Sequence, residues 1–160
     1  LDLVPDQIDD ALTNLGLGTW DLGLRTSRYV PLGNAVILTG VEAPSTARPG
    51  EAITVAVQLM AARPLVEDYA VKIALEGAGW QVTAEGTAIG GAVPTFKWIA
   101  GSRLTDRRVL TVPADAAPGP AQLVLAMYEG LTQRDLAVLD PRLAALGPTV
   151  PLGTVEIVAP

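Results

Sequence analysis

Alternation with a period of two residues, repeated along the chain and punctuated by glycine and proline, restricts this fold more than any other feature. The segment EAITVAVQLMA places Ile53, Val55, Val57 and Leu59 on one face and Thr54, Ala56, Gln58 and Met60 on the other. YAVKIALEG repeats the pattern, with Tyr69, Val71, Ile73 and Leu75 inward and Lys72 and Glu76 outward. Successive side chains of a strand point to opposite faces, so this spacing predicts strands with one buried face. NAVILTGVEAP is a nearly continuous apolar run closed by Pro44 and reads as another strand. AQLVLAMYEG is apolar on both faces, which predicts a central strand. WQVTAEG, ended by the Gly86–Gly91 region, LTDRRVLTVP with its apolar end at Val109, Leu110 and Val112, RDLAVLD and LGTVEIVAP complete the set.

Pro118 and Gly119 in ADAAPGP give a strong turn signal between two of these segments. Short strands divided by such turns, without interleaved helices, predict an all-β antiparallel β-sandwich, either immunoglobulin-like or a jelly roll. The N-terminal PDQIDDALTNLGLG is different. Ile8, Leu12 and Leu15 have helical spacing, and Asp6, Asp9 and Asp10 suit a helix N-terminus, so residues 1–19 are expected to form a short helix or linker. Residues 20–160 then form the sandwich domain, with GLGTWDLGLRTSRYVPLGN as an irregular lead-in and PRLAALGPTVP as one helical turn. A chain of 160 residues suits one such domain, able to bury roughly 70% of its unfolded surface.

No apolar run approaches the ~18 residues of a membrane-spanning helix, so the chain itself is expected to be soluble. A start at Leu1, with no methionine and no basic or apolar leader, is expected of an excised domain or a processed product. The net charge of −6 argues against nucleic acid as a partner, since phosphate neutralisation needs a basic stripe. The chain has no cysteine and no histidine. Thiol nucleophiles, zinc thiolates, disulfides and the usual general base at neutral pH are thereby excluded.

Ser27, Ser45 and Ser102 lack an activating partner and a nucleophile elbow, and GTAIGG lacks the lysine of a phosphate loop. Glu85, Asp106 and Glu129 would serve a glycosidase only if two of them lay about 5–9 Å apart, and nothing in the sequence brings them together. No enzyme activity, cofactor, metal site or catalytic residue is therefore expected. The binding case rests on aromatic and cationic side chains. Tyr69 and Tyr128 sit on predicted strands and read as core. Trp80 and Trp98 lie at strand edges or loops, where an exposed indole can stack on a sugar. Arg103 and Arg108, with Asp106, follow Trp98 closely, and an arginine fork there would grip a carboxylate or phosphate. The bland alternative is a charged strand edge that discourages edge pairing.

The order PGEAITVAVQLMAARPLVEDYAVKIALEGAG, then VPTFKWIAGSRLTDRRVLTVPADAAPGPAQLVLAMYE, resembles a soluble β-sandwich module at the C-terminal end of some bacterial multipass membrane glycosyltransferases, similar to protein mannosyltransferases. The matching positions are Pro49-Gly50, Pro64-Leu65, Asp68-Tyr69, Gly79, Pro94-Thr95, Trp98, Gly101, Asp106, Pro113, Pro118-Gly119 and Tyr128, with the closing PLGTVEIV. They cover residues 35–158, although each motif is short and made of turn residues. Two features depart: Lys72 and Ala74 stand where the family often has a histidine or phenylalanine, and the acidic residue usual just before the Pro-Thr loop is missing from TAEGTAIGGAVPT. The resemblance implies a non-catalytic accessory domain held outside the cytoplasm by a membrane-bound parent. It would bind glycan or a protein partner, or brace its parent. PTFKWIAG would then be an inter-sheet connection with Trp98 as its plug and Asp106 bonding loop amides.

Overall fold

Each alternating segment does form a strand, and the inward residues of each meet those of a facing sheet. The computed structural model describes residues 24–88, 94–139 and 149–160. In chain order the strands are β1 (Leu24–Leu32), β2 (Val36–Ala43), β3 (Thr46–Ala47), β4 (Ala52–Ala61), β5 (Tyr69–Gly77), β6 (Trp80–Thr87), β7 (Arg103–Thr111), β8 (Gly119–Glu129) and β9 (Val150–Ile157). The expected N-terminal helix, Trp20 and the turn expected within PRLAALGPTVP fall wholly or mainly outside the described residues. None of the helices among the described residues is long and apolar enough to cross a membrane.

The strands make two sheets, ordered β1-β2-β4-β7 and β3-β9-β8-β5-β6. All pairs are antiparallel except β3 with β9. The chain changes sheet between β2 and β3, β3 and β4, β4 and β5, β6 and β7, and β7 and β8. This is the immunoglobulin-like order: β2, β4 and β7 take the places of strands A, B and E, and β9, β8, β5 and β6 those of G, F, C and C′. The topology thus selects the immunoglobulin-like alternative over the jelly roll. A strand D, which would border β7, is not among the described strands.

The core lies between the sheets. Val55, Val57 and Leu59 of β4 face Val71, Ile73 and Leu75 of β5 and Leu123, Leu125 and Met127 of β8, all with no measurable exposure. At roughly 1.5–3 kcal/mol for each large aliphatic side chain taken out of water, this interleaved layer is the main stabilising element. β8 is central, paired to β5 and β9, as its apolar faces predicted.

Two expectations are corrected. GLGTWDLGLRTSRYVPLGN is not wholly irregular: its second half is β1, joined to β2 by Gly33 and Asn34, both at φ 58. Left-handed conformations at both turn residues mark the type I′ hairpin, closed here by Ala35 N–H donating to the Leu32 carbonyl at 3.0 Å. RDLAVLD is not a strand. It crosses from one sheet to the other, bridging Asp135 to Tyr128 and then Val138 to Leu32. Around the end of β7, Leu110 and Val112 are buried while Val109 points outward, 59% exposed, as alternation on a strand with one open face requires.

Candidate functional site

The residues that the sequence singled out do not converge. Trp98 follows a 3-10 turn at Thr95–Lys97 and is buried in the core, 5% exposed. It is the plug that the resemblance implied. Trp80 opens β6 at the other end of the molecule, paired with Gly77 across the β5–β6 hairpin. Its indole lies over Gly77, where any Cβ would overlap the ring, and packs half-buried against the core. Two inward-facing indoles at opposite ends cannot make a sugar-stacking platform.

Arg103 and Arg108 stand five residues apart on β7, hence on opposite faces of it. Arg103 is exposed beside Met60, its partner in register. Arg108 turns inward and uses its fork on its own chain. Its Nε donates to Asp106 Oδ1 at 2.7 Å and its Nη2 to Asp106 Oδ2 at 3.0 Å. The same Nη2 reaches across to the carbonyls of Thr87 (2.8 Å) and Gly86 (3.2 Å) on β6. Asp106 is 1% exposed. The pair ties the edge of one sheet to the edge of the other, and it commits the Nε and Nη2 donors of Arg108 to its own chain.

At the loop end, the Thr95 amide is held by the carboxylate of Asp68. Thr95 N–H donates to Asp68 Oδ1 at 3.1 Å, Tyr69 N–H donates to Thr95 Oγ1 at 3.0 Å, and that hydroxyl donates to the Glu67 carbonyl at 2.7 Å. On the other side, Gly130 N–H donates to the Asp68 carbonyl at 2.9 Å. Gly101 N–H reaches the Ala61 carbonyl at 3.0 Å. Thr95 is wholly buried, so each of its polar atoms needs such a partner. The result is a stapled platform made of the β4–β5, β6–β7 and β8–β9 connections.

Seven large hydrophobic side chains are exposed among the described residues, and five of them stand on these connections: Val66 (78%), Phe96 (49%), Ile99 (74%), Leu131 (95%) and Leu139 (43%). Sequence reading missed this set because it weighed aromatic and cationic side chains as surface anchors and left the aliphatic ones aside. The signal was present at Phe96 and Ile99. They lie three apart around a short turn, whereas Trp98 between them turns inward.

The carboxylates considered for catalysis are dispersed. Glu85 accepts from Tyr128 Oη at 3.2 Å on the outer face of the second sheet, Asp106 is buried with Arg108, and Glu129 accepts from Thr132 Oγ1 at 3.0 Å. Tyr128 was expected in the core, but it lies half-buried on that outer face. Burial first, and the neighbouring Glu85 second, raise its pKa above the ordinary 10.0. Tyr69, which is buried as expected, is raised by burial first and then by Glu67, whose Oε2 accepts from its hydroxyl at 3.2 Å. Among the described residues no group of three or more acidic side chains is placed to hold a metal ion.

No protein-family model matches the chain, and no curated protein does. Among solved structures it is similar to the Pseudomonas fluorescens alkylpurine DNA glycosylase AlkC bound to DNA containing an abasic site analog, at 17% identity and a TM-score of 0.40. The similarity covers 94% of this chain but 33% of that one, so the chain spans about a third of the length of that protein. A likeness this distant has no bearing on function.

Proposed function

We propose that this chain is a non-catalytic accessory β-sandwich that docks through its stapled loop end, as part of or beside a membrane glycosyltransferase-like protein outside the cytoplasm. The observation that carries the docking reading is the cluster of Val66, Phe96, Ile99 and Leu131 on one hydrogen-bonded platform. Apolar side chains held out in water by ordered loops cost solvation unless a partner covers them, and such patches mark interaction sites. The glycosylation context rests on the motif order from Pro49-Gly50 to Tyr128. Interaction through apolar loops is favoured over glycan stacking, because both described indoles face inward and the Arg108 fork is occupied.

The test is sugar transfer by the parent protein in isolated membranes, with Ile99→Ser and Leu131→Ser placed in this module. Transfer is expected to fall several-fold while the module's Tm is unchanged. Unchanged transfer would remove the docking role. An oligosaccharide that shields Trp80 from acrylamide would restore the glycan reading instead.

A further inference from the structure

We propose that the loop end seats on an anionic lipid surface, its apolar tips entering the acyl boundary and its arginines and lysine meeting lipid phosphates. This rests on the docking reading above and names what the loop end docks upon. The exposed charges at this end are Arg63, Lys97, Arg103 and Arg134, against Asp135 alone among the described residues. The other carboxylates here are half-buried and turned to their own loops: Glu67 accepts from Tyr69 Oη, Asp68 from the Thr95 amide and Glu129 from Thr132. A chain of net charge −6 thus shows its cations in front and its anions recessed at one end.

The recessed carboxylates still carry charge, so apolar insertion supplies most of the attraction and the cations orient it. The tips and cations also alternate rather than segregate. Arg63 precedes Val66, Lys97 sits between Phe96 and Ile99, and Arg134 follows Leu131. An apolar tip with a long cation beside it suits the membrane interface, where the tip sinks below the headgroups and the cation stays at their level. A protein interface instead prefers a contiguous apolar centre with charge confined to its rim. The described strands begin at Leu24, paired with Ala43, and end at Ile157, paired with Gly119, both at the opposite end.

The experiment uses the 160-residue chain and vesicles of equimolar phosphatidylglycerol and phosphatidylcholine. Because the chain has no cysteine, Ile99→Cys and Val109→Cys each carry one environment-sensitive dye. The dye at 99 is expected to shift blue on vesicle addition while the dye at 109 does not. Phe96→Ser combined with Leu131→Ser is expected to lower co-sedimentation with the vesicles about tenfold, and Lys97→Gln about fivefold. Val109→Ser, an exposed valine toward the other end, leaves it unchanged. A folded chain that does not sediment with these vesicles, or one that sediments with the dye at 99 still in water, overturns the proposal. So does a blue shift that grows with protein concentration alone, which would identify a second copy as the occupant. If vesicles are ignored yet Ile99→Ser and Leu131→Ser still depress transfer by the parent, the lipid is wrong and the docking stands. If neither responds, both fail.

Discussion

Asp106 shows how one side chain on an inward face can close a sandwich. A carboxylate 1% exposed is tolerated because Arg108 meets both of its oxygens and carries the contact on to the β6 carbonyls. Removing one partner leaves the other charged and buried. Asp106→Ala is therefore expected to cost about 3 kcal/mol in urea unfolding. Asp106→Leu with Arg108→Met should recover most of that, since an apolar pair of similar volume escapes the desolvation penalty. Thr95 makes a second residue-scale prediction. Thr95→Val strands the Tyr69 N–H in a buried position and is expected to cost about 1–3 kcal/mol, whereas Thr95→Ser keeps the hydroxyl and costs less. The tyrosines add a pH dependence. Both have folded pKa values raised above 10.0, so below that value both states hold the proton and the stability is flat. Above it the unfolded chain ionises first and stability falls, until pH passes the folded values. Tyr128→Phe should flatten part of that alkaline fall in the urea midpoint.

At the scale of elements, β4, β5 and β8 were legible because long alternation and a two-faced apolar run have few other readings. β1 was not. Its inward residues in the described part are only Val30 and Leu32, and a register shift between Ser27 and Val30 breaks the alternation. The Gly33-Asn34 pair was nevertheless a recognisable hairpin signal. Gly33→Ala tests it: a Cβ there would sit 2.8 Å from Leu136 Cδ2, in a left-handed conformation. A loss of about 1–2 kcal/mol is expected, with Asn34→Gly neutral or stabilising. RDLAVLD misled for the opposite reason. Its apolar spacing imitates a strand, but its partners lie on two different sheets. The flank between β6 and β7, where strand D would run, is partly closed by the Arg108 bridge, so charge guards that edge as edge strands commonly require.

Across the whole molecule, the candidate site was less legible than the fold. Burial of alternating residues is a local pattern, whereas the loop platform joins Asp68, Thr95 and Gly130 from three connections far apart in sequence. Nothing local announces that Trp98 turns inward while Phe96 and Ile99 turn out. The two ends of the sandwich are consequently unlike. One holds the start of β1 and the end of β9, and the other carries the exposed apolar tips. The most direct test labels Ile99→Cys and Val109→Cys separately with a polarity-sensitive dye and adds membranes that carry the parent protein. A blue shift and loss of quencher access are expected at 99 alone. Equal responses at both positions, or a response at 109 only, would contradict docking through the loop end.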